Sequence, residues 1–302
     1  MKGKNLKDLP DERFLEFVEN KVLNTIIKYS LFSKKEKIAV AVSGGKDSTT
    51  LLYILQKLGY NIEAITVDSH IGCYTQKNLE NLRETCKKLG INLHEISFRK
   101  IFGASLCYLR DSIRSKGNSY KSCTICGVLR RYLLNKKARE LKAKKLVLGH
   151  NLDDEAQSIL MNLMKNRPEL NARLGPAVDS VNDELFVPRV KPLYYVTEAE
   201  IVRYSKIMGF PVKYCRCPCA SDGFRFAIRD FLDLQETKNP GIKENIVRFF
   251  LKNQSGLKKM YENQKWSYCS FCGEISSNNI CKACELLGIA GKSLKPGKLC
   301  LG

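Results

Sequence analysis

Three groups of residues have types and spacings suited to chemistry. The first is Ser43-Gly44-Gly45-Lys46-Asp47-Ser48, which directly follows the apolar run Lys37-Ile38-Ala39-Val40-Ala41-Val42. Gly44 and Gly45 let a bare backbone approach an anion closely and take unusual dihedrals. N–H groups at such a turn and at the start of a following helix point at phosphate. Ser43 and Ser48 add hydroxyls, and Lys46 adds a charge. The pattern is not the GxxxxGK[ST] loop of enzymes that cut at the terminal phosphate. The second group is the cysteines, of which there are thirteen. The charged N-terminus has no secretory apolar segment, so metal binding is the economical reading. Cys269–Cys272 and Cys281–Cys284 have the paired CxxC spacing of a zinc ribbon, a closed structural site of four thiolates. Cys123 and Cys126 make a third CxxC, and Cys215, Cys217 and Cys219 alternate further on. The third group is Asp153-Asp154, four residues after Gly149 and His150. Such an acidic pair opens a helix either as a cap or as a metal-side pair.

The elements that must position these groups are legible in the hydrophobic pattern. Residues 12–30 read as a helix and "KIAVAV" as a strand buried on both faces. A helix with Leu51, Leu52, Ile54, Leu55 and Leu58 follows. "IEAITVDS", "NLHEISF", "KLVLGH" and "VPRVKPLYY" read as further strands, separated by helices over "QKNLENLRETCKKLG", "CGVLRRYLLNKKARELK" and "LDDEAQSILMNLM". Strands alternating with helices predict an α/β fold with a doubly wound parallel sheet. The expected division is an N-terminal helical arm (1–30), a nucleotide domain (31–232), a helical segment (233–265) and a zinc ribbon (266–302). Ligands of such sheets bind at the carboxyl ends of strands, where the glycine turn lies.

"SGGKDS" resembles the PP-loop of the adenylating ATP pyrophosphatases. In that family the loop holds the pyrophosphate end of ATP while a substrate oxygen attacks the α-phosphate. Further motifs narrow the resemblance. "CTICGVLRRYLLN", "GHNLDDEAQSILMNLM" and "CPCASDGFRFAIRDFL" resemble ordered segments of the tRNA 2-thiouridine synthetases, from about residue 35 to 290. The resemblance implies that Ser43, Gly44, Gly45, Lys46, Asp47, Ser48, Asp68, Gly149, His150 and Asp154 face ATP and that Asp47 and Asp154 hold Mg2+. It implies a [4Fe–4S] cluster on Cys123, Cys126 and Cys217, with Cys215 and Cys219 as competitors for the third position. Thiolates are natural ligands of such clusters, and three of them leave one iron open for hydrosulfide. The alternative gives Cys123 or Cys217 a persulfide or disulfide role. Cys123, Cys217 and Asp154 are then the catalytic residues, and Arg130, Arg131, Arg225 and Arg229 contact tRNA. His150 either faces the nucleotide or packs.

The implied activity is ATP-dependent thiolation of a tRNA uridine at C2. Arg130 stands where thiolases of T-loop uridine 54 tend to carry lysine, and "GVLRR" is closer to the wobble-uridine branch. Position 34 is therefore the expected target, with uridine 54 or an anticodon-loop cytidine as alternatives. A nucleotide- and tRNA-binding zinc-ribbon protein without turnover is the reading from another class. The intact loop, acidic pair and separated cysteines favour an enzyme. A formal net charge of +20, spread over the chain, suits a polyanionic partner such as tRNA. A ubiquitin-like sulfur-carrier protein, free sulfide or a cysteine desulfurase is the implied donor, and since relatives are often dimers a homodimer is an expected partner. No apolar run is long enough to span a bilayer, so no membrane partner and a cytoplasmic location are expected.

Overall fold

The first periodic segment forms α1 (Asp11–Lys28). Its Phe14, Val18, Val22 and Ile26 recur at helical spacing and are buried in a core shared with the sheet. β1 (Lys37–Ala41) follows, with Ile38, Ala39 and Val40 fully buried, as expected of a strand covered on both faces. α2 (Lys46–Lys57) buries Leu51, Leu52, Ile54 and Leu55, and truncating one such side chain to alanine costs about 2–5 kcal/mol. β2 (Asn61–Asp68), α3 (Gly72–Leu89) and β3 (Leu93–Ser97) extend the pattern. This computed structural model describes residues 8–178, 183–212, 214, 217–220, 224–261 and 266–294. Cys215 lies outside them.

Two helices that the pattern left unassigned come next, α4 (Phe98–Phe102) and α5 (Leu106–Ser115). Serines cap both, Ser97 on the N–H of Lys100 and Ser105 on that of Tyr108. The chain continues through α6 (Ser122–Glu140), β4 (Lys145–Leu148), α7 (Leu152–Met164), α8 (Pro168–Asn171), β5 (Ala177–Val178), β6 (Arg189–Val190) and α9 (Glu198–Ile207). α10 (Phe224–Lys238) and α11 (Ile242–Met260) pack on α7. A hairpin of β7 (Ser267–Tyr268) and β8 (Ile275–Ser276) precedes α12 (Lys282–Ile289).

The sheet order is β3-β2-β1-β4-β6-β5. All pairings are parallel except β5 with β6, which is antiparallel. The doubly wound fold is as expected, with two corrections: an antiparallel edge strand, and only two residues of strand in "VPRVKPLYY". Pro188 and Pro192 flank those two residues and cannot donate to a ladder. The chain runs outward in one direction from β1 to β3 and in the other from β1 through β4, which opens a crevice between the ends of β1 and β4. One face of the sheet packs on α1, α2, α3 and α9, and the other on α5, α6 and α12. No described helix is long and apolar enough to cross a membrane.

Candidate active site

The glycine turn lies at that crevice. Gly44 has φ +74°, and a Cβ there would stand 2.3 Å from the carbonyl oxygen of Asn78 on α3. Gly45 begins α2 with extended dihedrals, and no side chain caps the helix, so its first N–H groups face the crevice as a ready anion site. The Ser48 hydroxyl accepts from the Ser43 N–H at 3.1 Å and donates to the Gly45 carbonyl at 3.1 Å. Both serines thus brace the turn. Gly149, beyond β4, is packed so tightly on the loop that a Cβ would lie 3.3 Å from the Ser48 backbone.

Lys46, Asp47 and Asp154 meet beside this turn. Lys46 Nζ reaches Asp47 at 3.0 Å and Glu198 at 2.9 Å. Burial works against the lysine charge, but the two carboxylates more than offset it and raise its pKa. Burial raises the Asp47 pKa, against the pull of Lys46, and the nearby Asp154 charge pushes the same way. Asn151 Nδ2 donates to Asp47 Oδ1 at 2.8 Å. Asp154 Oδ2 accepts from the Asn151 N–H at 3.3 Å, and Asn151 Oδ1 accepts from the Asp154 N–H at 3.0 Å, a capping box opening α7. Arg225 Nη2 donates to Asp154 Oδ1 at 2.8 Å. Two mutually repelling carboxylates at a phosphate turn fit an oxygen-ligated divalent cation such as Mg2+. Asp153 is not the helix cap: it is buried and paired with Lys243 at 2.5 Å, and it accepts the Glu198 N–H at 2.7 Å.

His150 closes the floor. The residue is exposed to solvent, with protein crowded around its ring. That enclosure, and then Lys191, Arg225, Arg131 and Arg189, hold it neutral with a pKa near 3. Lys191 is itself paired with the buried Glu155 at 2.6 Å. Asp68, at the end of β2, accepts the His70 N–H at 2.7 Å and so orders the turn after its strand.

The described cysteines of the expected metal sites fall in two places. Cys123 and Cys126 lie in the first turns of α6, and a short 3-10 turn, Pro218–Ala220, packs on the same helix. Cys217 is near enough to Cys126 and Arg130 to feel both. Burial, then the Cys126 charge, raises the Cys217 thiol, against the Cys219 N–H and Arg130. Cys219 lies between Cys217 and Cys107, and burial, then Cys107 and Cys217, push it up to about 11. Cys126 and Cys217 both pack on the same core. Cys126 and Cys217 come together from two elements beside Arg130, with Cys123 one turn before Cys126 on α6, a set of soft ligands that suits a thiolate-bound iron–sulfur cluster.

At the C-terminal hairpin the Sγ atoms of Cys269, Cys272, Cys281 and Cys284 all lie within 4.8 Å of one another. The Cys281 N–H donates to Cys269 Sγ at 3.2 Å, and the Cys284 N–H to Cys281 Sγ at 3.4 Å. The hydrogen bond from Cys281 lowers Cys272 to about 5. Four converging sulfurs fit one tetrahedral ion.

Of the four arginines expected at tRNA, Arg130 and Arg131 lie on α6 beside the cysteines. Arg225 and Arg229 are engaged internally: Arg225 with Asp154 and Gln157, Arg229 with Glu198 at 2.7 Å. Their charges are therefore matched by carboxylates within the fold. Sequence reasoning missed Asn151, Glu198 and Arg189. The string "VTEAE" does carry a capping-box signal, with Thr197 and Glu200 opening α9 beside Glu198, but nothing in it announces a lysine 152 residues away.

A bare turn at the end of β1, a cationic floor at the end of β4 and thiols on α6 define a nucleotide-binding α/β protein of the PP-loop class. The family model described as "PP-loop domain" matches residues 13–214. A tRNA-5-methyluridine(54) 2-sulfurtransferase of Pyrococcus horikoshii is 36% identical over 281 residues, covering 93% of this chain and 88% of the relative. Cytoplasmic tRNA 2-thiolation protein 1 of Saccharomyces cerevisiae is 33% identical, covering 94% and 81%. The structure of the U34-tRNA thiolase NcsA from Methanococcus maripaludis, with its [4Fe-4S] cluster, superposes with TM-score 0.78 at 29% identity, covering 96% of this chain and 92% of that one. The chain belongs to the PP-loop family, within its tRNA 2-thiolation proteins.

Proposed function

We propose that the chain is an ATP-dependent tRNA-uridine 2-sulfurtransferase. The uridine C2 oxygen attacks the α-phosphate of ATP, and diphosphate leaves. A sulfur nucleophile then adds at C2 and AMP departs with the former oxygen. The N–H groups at the start of α2 and the Lys46 ammonium hold the departing diphosphate; Lys46 exchanges its present carboxylate partners for phosphate oxygens. Asp47 and Asp154 hold Mg2+, and Arg225 and Asn151 fix the Asp154 carboxylate. The neutral His150 ring lies at the base, where it donates or accepts without adding charge.

Cys123, Cys126 and Cys217 hold the [4Fe–4S] cluster, and the C-terminal four cysteines hold Zn2+. When bound, the cluster supplies an iron with an open coordination position for a sulfur donor. The donor is free sulfide or the thiocarboxylate of a ubiquitin-like carrier. The observation that carries the reading is that Arg131 and Arg225 both lie near enough to His150 to act on its charge, because Arg131 shares α6 with the cysteines and Arg225 holds Asp154. On this reading thiol chemistry and nucleotide chemistry meet at one crevice.

Wobble uridine 34 is the proposed target, supported by Arg130 and by the NcsA likeness. Uridine 54 is the second reading, favoured by the similarity to the Pyrococcus protein. The cytoplasmic location rests on the naming of the yeast relative. The test is product analysis with tRNA, Mg2+, ATP and sulfide under anaerobic conditions. AMP and diphosphate are expected; ADP and orthophosphate as primary products would refute adenylation.

A further inference from the structure

Four cations act on the His150 ring, and they are not alike. Lys191 is paired with Glu155, and Arg225 with Asp154. Arg131 and Arg189 have no carboxylate partner among the described residues, and they are close enough to repel each other. Arg131 is exposed and Arg189 half-buried, so both guanidiniums can be reached by a ligand, and the charge that acts on Arg131 is the Cys126 thiol rather than a carboxylate. Both guanidiniums are held in place. Arg131 folds back along α6 until its Nη1 lies 3.4 Å from where a Gly127 side chain would begin. Arg189 lies over the Phe186 ring at 5.3 Å. Strand register sets Arg189 beside Leu146 of β4, in the core against which Cys126 packs.

The ATP phosphates already have a cradle in the turn before α2, with Lys46 beside it. A target uridine within a strand brings two more anions, the phosphodiesters on its two sides. They must come close to the cysteines if C2 is to be thiolated there. The geometry points to Arg131 and Arg189 as the site that grips the phosphodiesters flanking the target uridine. Planar guanidinium forks suit phosphate oxygens bidentately. Arg189 is in this account a substrate-binding residue of β6, and Gly127 keeps the space that Arg131 needs. The inference rests on the thiolase reading.

The test is titration of the anaerobically prepared full chain with tRNA at several salt concentrations. Wild type is compared with Arg131→Gln, Arg189→Gln and Arg189→Lys, and ATP affinity and iron content are measured on each. Each glutamine variant should weaken tRNA binding about tenfold and reduce the salt slope by about one. ATP affinity and iron content should be unchanged. Arg189→Lys should keep the slope and lose part of the affinity. Unchanged tRNA affinity and slope in both glutamine variants would overturn the proposal. So would a loss of ATP affinity or of iron with the tRNA slope intact, since the pair would then serve the nucleotide or the cluster. A wild type that binds no tRNA would overturn the thiolase reading as well, whereas variants that bind like a competent wild type overturn only the guanidinium pair.

Discussion

Cys217 and Cys219 are two residues apart and hydrogen-bonded to each other, yet each has a further neighbour of its own. Cys217 lies by Cys126 and Arg130, and Cys219 by Cys107. Replacing Cys217 with alanine should strip iron from anaerobically prepared protein, while Cys219→Ala should keep it; elemental analysis decides. Equal iron loss in both would mean that the loop shares the ligation. His150 makes a second residue-level prediction. Its ordinary pKa is 6.5, and the folded site lowers it to about 3. Above pH 6.5 both the folded and unfolded chains leave the ring neutral. Below it the unfolded chain takes a proton that the folded site refuses, so this contribution to stability is lost as pH falls toward 3. His150→Asn should flatten part of the fall in melting temperature between about pH 7 and 5, and parallel pH scans of the two proteins measure it. The glycine turn and the cysteine spacings were legible in the sequence because they are local patterns. Glu198 beneath Lys46 was not, because a partner supplied by another element leaves no mark on its own neighbours.

The elements fix how much each motif can change. Gly44 has φ +74° and faces a backbone oxygen at a distance no Cβ tolerates. Gly44→Ala should therefore lower stability by about 1–3 kcal/mol, from the left-handed dihedral and the clash, and lose ATP binding outright. Denaturant melts and nucleotide titration check both, and normal ATP affinity would show that the turn is not the cradle. The strands were readable from their continuous apolar runs, as at Ile38, Ala39 and Val40. α4 and α5 were not, because Ser97 and Ser105 cap short helices whose periodicity spans too few turns to register. β5 pairs through two residues only, and Pro188 and Pro192 truncate its neighbour, so the edge of the sheet had no sequence signature.

Across the whole molecule, α6 joins the two sets of cysteines. Cys123 and Cys126 lie near its start, and Arg139 near its end binds Glu274 of the ribbon at 2.9 Å and 2.5 Å. Leu286 and Leu287 of α12 share a core with Leu129 and Leu133 of α6. The CxxC spacing disclosed the ribbon, but a local spacing says nothing of this long-range packing. Cys272→Ser should lose zinc and lower the melting temperature of the whole chain by several degrees, as structural zinc contributes directly to folding. Scanning calorimetry with zinc analysis tests it, and an unchanged transition in zinc-free protein would make the ribbon an appendage. The most direct test of the central claim is nucleoside mass spectrometry of tRNA after incubation with the anaerobically prepared protein, ATP and sulfide, with fragments mapped to position. The account predicts ATP-dependent 2-thiouridine at position 34, and tRNA left without any thiolated uridine by iron-loaded protein would contradict it.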